Sequence, residues 1–199
     1  PTALTWAANL TARFSEKHPK VRFTIISQTS VEVHAMIENH SVDVGISYLD
    51  DQLGKKMCSE ALYRECYMLI CHKDSPFSKL ESINWAELSG EKLCLLMSNM
   101  QNRRIIDRCF DAAHVSPEVW IESNSTVVLT NNVLKGGWLT VLPSDLAEFL
   151  CQGKPLKTVP IEQSGPDHTV GLVAPFRETQ TPVLNEIMSE ARKMSKLLP

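Results

Sequence analysis

The chain has no long apolar run: nothing in it approaches the roughly 18 consecutive apolar residues that a membrane-spanning helix needs. It also has no concentration of charge of one sign. Twenty basic and 23 acidic side chains leave a formal net charge of −3. No basic tract exceeds two residues, as at Lys55–Lys56 and Arg103–Arg104. Such a surface binds nucleic acid poorly by itself, because neutralising phosphates takes clustered positive charge. Glycine is scarce, and the eight present form neither a G-x-G-x-x-G fingerprint nor a phosphate-binding P-loop. There is no G-x-S-x-G, no H-E-x-x-H and no C-x-x-C. These absences remove the commonest hydrolase, nucleotide-binding, zinc-protease and thiol-redox signatures.

What is present is ordinary for a globular protein. Of 199 residues, 43% are hydrophobic and 22% charged. The length gives about one and a third domains, meaning one domain or two joined lobes with a sizeable core. The six cysteines mostly sit in apolar surroundings, as in Leu93-Cys94-Leu95-Leu96. They read as reduced, mostly buried thiols of a cytosolic protein. Cys58 and Cys66, eight apart, leave a thiol switch open as an alternative. The six histidines are scattered; His34 and His40, or Cys109 and His114, lack the spacing and further partners of a metal site. No metal and no cofactor are expected. Pro1 stands almost directly on a helical pattern, without an initiator Met, which suggests a piece of a longer polypeptide.

Periodicity orders the rest. Leu4, Ala7, Ala8, Thr11 and Phe14 share a helical face that His18-Pro19 closes. Val21–Ser27 reads as a strand, then a short helix carries Val33, Met36 and Ile37, and Val42–Ile46 is a second strand. Glu60–Cys71 is strand-like; Asn84 caps a short helix at Trp85–Leu88; Lys92–Met97 is a strand before a helix at Gln101–His114. Val119–Glu122 precedes a helix at Ser125–Lys135, and Leu139–Leu142 precedes one that Pro143-Ser144 opens. Leu156–Ile161 and Thr169–Ala174 are extended, and the last helix spans Pro182–Leu197. The alternation predicts an α/β fold with a largely parallel sheet.

Three predicted strand-to-helix junctions carry small hydroxyl and amide side chains: Ser27-Gln28-Thr29-Ser30, Ser98-Asn99 and Ser123-Asn124-Ser125-Thr126. In a parallel sheet such junctions lie at the carboxyl ends of strands, where ligands bind. Each opens a helix whose first N–H groups are unsatisfied and whose dipole end is positive, so together they fit a small anion. Thr2 supplies a fourth such end. Ser, Thr and Asn are also the usual N-caps, so plain capping remains an alternative. Arg103 and Arg104 either reach an anionic ligand or stand as solvated helix charges. Tyr48 is either a cleft wall or an exposed loop residue.

Several segments resemble the effector-binding domain of LysR-type transcriptional regulators. They are Phe14–Phe23, with Ile37–Ile46; Leu62-Tyr63 through Ser75-Pro76; Glu87-Leu88-Ser89-Gly90; and Lys135–Pro143, which contains Gly136-Gly137-Trp138. The matches occur in the family's order along essentially the whole chain. The resemblance implies two Rossmann-like lobes joined by crossing strands, like the type 2 periplasmic binding proteins. Residues 1–70 with 162–199 would form one lobe and 71–161 the other. It further implies that a winged helix-turn-helix domain, and a first strand whose absence would leave an edge or a hole, precede Pro1. The positions that bind effector would be Thr2, Gln28, Thr29, Ser30, Tyr48, Met97, Ser98, Asn99, Ser123, Asn124, Ser125 and Thr126. Trp138 departs from the family's second turn glycine, and Tyr48 stands where some carboxylate-binding members have arginine.

The expectation is therefore a non-enzymatic cytoplasmic sensor. It binds a small, anionic metabolite between its lobes, meets DNA only through the preceding domain, and assembles as a homodimer or homotetramer. A solute-binding receptor of a transport system is the alternative, with an enzyme on the same scaffold and a Cys58/Cys66 redox sensor behind it.

Overall fold

The computed structural model describes residues 3–49, 57–162, 168–177 and 180–195. The elements in chain order are α1 (Ala3–Lys17), α2 (Ser30–Glu38), β1 (Gly45–Tyr48), β2 (Met57–Arg64), β3 (Tyr67–His72), β4 (Lys92–Leu96), α3 (Gln101–Ala112), β5 (Glu118–Ser123), α4 (Thr126–Gly136), β6 (Thr140–Pro143), α5 (Ser144–Cys151), β7 (Leu156–Pro160), β8 (Thr169–Pro175) and α6 (Pro182–Met194). Single 3-10 turns lie at Pro76–Lys79 and Trp85–Leu88. The chain parts into two compact units, Cys66–Pro166 and Thr2–Glu65 with Asp167–Pro199.

In the unit built from both ends of the chain, β8 runs between β1 and β2 and is antiparallel to each. Helix α1 buries Trp6, Leu10 and Phe14, spaced four apart so that they share one stripe. Trp6 stacks on Tyr63 of β2, with centroids 5.1 Å apart. Helix α2 lies on β1, where Val33 and Ile37 close over Gly45. Helix α6 packs on β2 and α1. The Glu190 side chain of α6 is fully covered, and it gathers Lys17 at 2.5 Å, Lys193 at 2.8 Å and Arg13 at 3.9 Å. Hydrogen bonds from Lys17 and then Lys193 hold the Glu190 carboxyl down at about 2, far below its ordinary value of 4.5. A depressed folded-state pKa contributes stability that is whole above the ordinary value and is lost as pH falls through the folded one. Glu190→Gln is therefore expected to melt below the parent at pH 7, and the two melting curves should converge as pH falls from about 4.5 towards 2. A gap that stays constant over that range in a pH series of thermal melts would contradict the assignment.

The other unit centres on β3, with β6 and β7 antiparallel on its two sides. Strands β4 and β5 are parallel neighbours, and a bridge between Leu93 and Leu139 joins them to the β6 side. One face of this layer buries Ile70, Cys94, Leu96, Leu129, Val133, Leu142, Leu146 and Leu150 beneath α4 and α5. Buried aromatics Tyr67, Trp85 and Phe110 meet edge-on at 6.1 and 5.1 Å.

Several expectations need correction. The described strand pairs are antiparallel apart from β4–β5 and the isolated bridges. Alternating strands and helices read only sequence neighbours, whereas β8 enters from the far end of the chain to separate β1 from β2. Residues 21–27 form no strand and pair with none of the described strands. The buried α1 stripe runs through Trp6 and Leu10, while Ala8 is exposed. The strand-like stretch over 60–71 is two strands, broken at Glu65-Cys66. Only Cys71 and Cys94 are buried; Cys66 is exposed and the other three thiols are half-buried.

Candidate functional site

Because β4 and β5 are parallel and adjacent, their carboxyl ends lie side by side, Leu96 opposite Ser123. Each strand then turns directly into a helix. After β4, the Met97 N–H donates to the Ser123 carbonyl at 3.2 Å, and the Met100 N–H to the Met97 carbonyl at 3.0 Å, where α3 begins. After β5, the Ser123 hydroxyl accepts from the Ser125 N–H at 3.1 Å, and the Ser125 hydroxyl caps α4 by accepting from Val128 N–H. Met97, Ser98, Asn99, Ser123, Asn124, Ser125 and Thr126 are thus brought to one edge. There two helix N-termini present N–H groups without intrahelical acceptors. Met97, Ser98, Asn99 and Asn124 are exposed. Ser125 caps α4 as its residue type predicts, whereas the N-cap of α3 is Met100, without a side-chain hydrogen bond, and not Ser98 or Asn99.

Arg103, one turn into α3, does not point out of this edge. It is buried, and its guanidinium donates to the Leu96 carbonyl at 2.7 Å, to Glu122 at 2.6 Å and to Asp107 at 2.7 Å. Burial works against its charge, but the Asp107 and Glu122 bonds outweigh it and hold the pKa above the ordinary value. Arg103 is neither a solvated charge nor a group aimed at a ligand: it ties the last carbonyl of β4 to β5, just ahead of both junctions. Gln101 and Asn102 beside it are also buried, and the Asn102 amide donates to the Tyr67 hydroxyl at 3.5 Å.

In the other unit, Thr29 and Ser30 open α2. The Thr29 hydroxyl accepts from the Glu32 N–H, and the Glu32 carboxylate accepts from the Thr29 hydroxyl at 2.7 Å and from its N–H at 2.9 Å. This is a closed capping box. Glu32 therefore already lays a carboxylate on the α2 N-terminus, and the Thr29 hydroxyl bond, then the N–H bond, lower its pKa. Gln28 is exposed just before it. Tyr48, the last residue of β1, is buried and donates to the Glu65 carboxylate at 2.9 Å, which corrects the exposed-loop alternative. Thr2 lies outside the described residues.

Glu32, Glu65, Gln101, Asn102 and Tyr67 were not among the residues the sequence singled out. Glu32 had a signal, the Thr-x-x-Glu spacing of a capping box; Glu65 had none, since only the β1–β8–β2 arrangement carries Tyr48 to it. The Cys58/Cys66 redox pair fails on distance. Cys58 and Arg64 are six strand steps apart in β2, about 20 Å, and Cys66 is only two residues past the strand's end. A disulfide needs Cα atoms within about 7 Å. Among the described residues no cluster of His, Cys, Asp and Glu suits a metal ion, and no helix is long and apolar enough to cross a membrane.

Comparison with known proteins accounts for this geometry. Residues 1–195 match the LysR substrate binding domain family. An uncharacterized HTH-type transcriptional regulator of Shigella flexneri, YfeR, is 28% identical over 145 residues, which cover 73% of this chain and 46% of YfeR. The chain thus spans less than half the length of that relative. The regulatory domain of Synechocystis PCC6803 CcmR, solved with 2-PG, superposes with a TM-score of 0.85 at 14% identity, covering 100% of this chain and 95% of CcmR's. The effector binding domain of QuiR, solved with shikimate, gives a TM-score of 0.80 at 16% identity over 96% of this chain and 90% of QuiR's. The shared architecture is the α/β fold of effector-binding domains like the type 2 periplasmic binding proteins, and the chain belongs to the LysR substrate-binding domain family.

Proposed function

We propose that this chain is the sensing part of a transcriptional regulator, and that a small acidic metabolite is its effector. The effector sits at the shared edge of α3 and α4, held by N–H groups of both helices and by Ser98, Asn99, Ser123, Ser125 and Thr126. The observation that carries this reading is the parallel β4–β5 pair, which sends two helix N-termini and their hydroxyls to one place. The description of YfeR as an HTH-type transcriptional regulator, and the QuiR and CcmR domains solved with shikimate and 2-PG, support it. The chain is not an enzyme, acts in the cytoplasm, reaches DNA through another segment of its protein, and self-associates. Effector binding shifts a conformational equilibrium, for which a coupling of about 1–3 kcal/mol is enough.

The test is a thermal-shift screen against small carboxylates, phosphates and sulfate. At 100 times its dissociation constant, a ligand stabilises by about 2.7 kcal/mol, which for a domain of this size raises Tm by about 5–10 °C. Ser98→Ala combined with Thr126→Ala should cut that shift at the same ligand concentration while leaving the ligand-free Tm within about 2 °C. A folded sample that no member of the panel shifts would sink the reading.

A further inference from the structure

The shared edge of α3 and α4 combines polar groups with uncovered hydrocarbon. Met97, Val127 and Val128 are 43%, 65% and 45% exposed. Met97 precedes Ser98 just past β4, and the two valines stand in the first turn of α4, directly after Thr126. A single exposed apolar side chain is ordinary; three of them around the N–H groups that an anion would meet give the edge a second character. Asp and Glu suit the first turn of a helix, and α2 closes its own first turn with Glu32. Neither α3 nor α4 has an acid there. Helix α4 is also braced at its far end, where the Trp138 indole lies over Gly136 and an added Cβ would stand 2.4 Å from the ring.

We infer that the effector is a monocarboxylate with an apolar body, which rests on the effector reading above and narrows it to one class of acid. The single charge meets the helix N–H groups and the hydroxyls of the edge. Ser123 and Ser125 accept backbone N–H bonds, and a hydroxyl that accepts still has its own proton to donate. The hydrocarbon part covers Met97, Val127 and Val128, an apolar wall beside a few placed polar groups, as small-molecule sites generally are. Each methylene group buried there should raise affinity about fourfold. A second negative charge finds no such support. Residues 96–107 and 122–129 hold two bases, Arg103 and Arg104, against two acids, Asp107 and Glu122, and Arg103 is shared by both acids. A second carboxylate, or the extra charge of a phosphate, would lie along methyl groups, where its lost hydration is not offset.

NMR titrations with acetate, hexanoate, hexanedioate and inorganic phosphate, read at the backbone amides of Ser98, Asn99 and Val127, test the assignment. Hexanoate is expected to bind about tenfold or more tightly than acetate, and by a similar margin over hexanedioate and phosphate. Val127→Ser combined with Val128→Ser exchanges residues of similar helix propensity at exposed positions, so the ligand-free Tm should stay within about 2 °C. The double variant should lower the hexanoate-to-acetate affinity ratio about threefold or more. Equal affinities for acetate and hexanoate, or a ratio that the double variant leaves unchanged, would overturn the inference. Hexanedioate or phosphate moving these amides at concentrations as low as hexanoate does would also overturn it, while leaving the effector reading in place. Amides that no anion of the set moves would sink both.

Discussion

Gly171→Ala is expected to cost about 3 kcal/mol or more, and Gly171→Val to leave the unit built from the chain ends unfolded at room temperature. Gly171 lies in the middle of β8, paired with Ser47 on one side and Ala61 on the other. A Cβ there would stand 2.6 Å from the Glu60 carbonyl oxygen and 2.6 and 2.9 Å from the Leu49 methyls. Leucine methyls can rotate aside, but the carbonyl belongs to the β2 backbone and moves only if the β2–β8 ladder shifts. Overpacking a core by one group costs about 1–3 kcal/mol when side chains alone absorb it. Moving a central ladder should exceed that, against a total stability of about 5–15 kcal/mol. At about 2–4 °C per kcal/mol, the alanine variant should melt about 6 °C or more below the parent. Gly90→Ala is the control. It faces open space, and only its φ of +73° opposes a side chain, so its cost should stay near 1–2 kcal/mol. Equal losses for the two variants in urea unfolding would show that close approach is not what selects glycine at 171.

Phe110→Ala is expected to cost about 3–5 kcal/mol, the range for removing a fully buried aromatic ring. Phe110 is 1% exposed and meets the Trp85 ring edge-on at 5.1 Å. Trp85 in turn meets Tyr67, whose hydroxyl accepts from Asn102 in the first turn of α3. Truncating Phe110 therefore opens a cavity next to the stack that seats the start of the same helix. Phe110→Leu, which keeps most of the volume, should cost less than half as much. Denaturant midpoints for the two variants check this. A loss under about 1 kcal/mol for the alanine would mean that the neighbours collapse into the space.

The sequence was most readable where information is local. The helix starts at Ser125 and Asn84, the strand over 92–96 and the polar turns after β4 and β5 depend on residues within a few positions of one another. For that reason 97–99 and 123–126 were legible as strand-to-helix turns, although Met100, and not Ser98 or Asn99, is the N-cap of α3. Long-range placement was less visible. Nothing near Gly45 or Met57 says that β8, more than a hundred residues later, will run between them and make both pairings antiparallel. Tyr48 looks like a loop residue until β8 brings β1 and β2 into one sheet and Glu65 within reach of its hydroxyl. Arg103 looks solvated because Glu122 belongs to the next strand and the Leu96 carbonyl to the previous one. Residues 21–27 have the alternation of a strand, but alternation specifies faces and does not supply a neighbour.

The glycine at 136 and the tryptophan at 138 impose an order on change. While the indole occupies the space above the backbone at 136, any side chain there collides with it, so 136 cannot vary first. A lineage could lose the ring and afterwards admit alanine two residues upstream, but the reverse path passes through a clash. In related chains these two positions should therefore drift as a couple, with bulk appearing at one or the other and never at both.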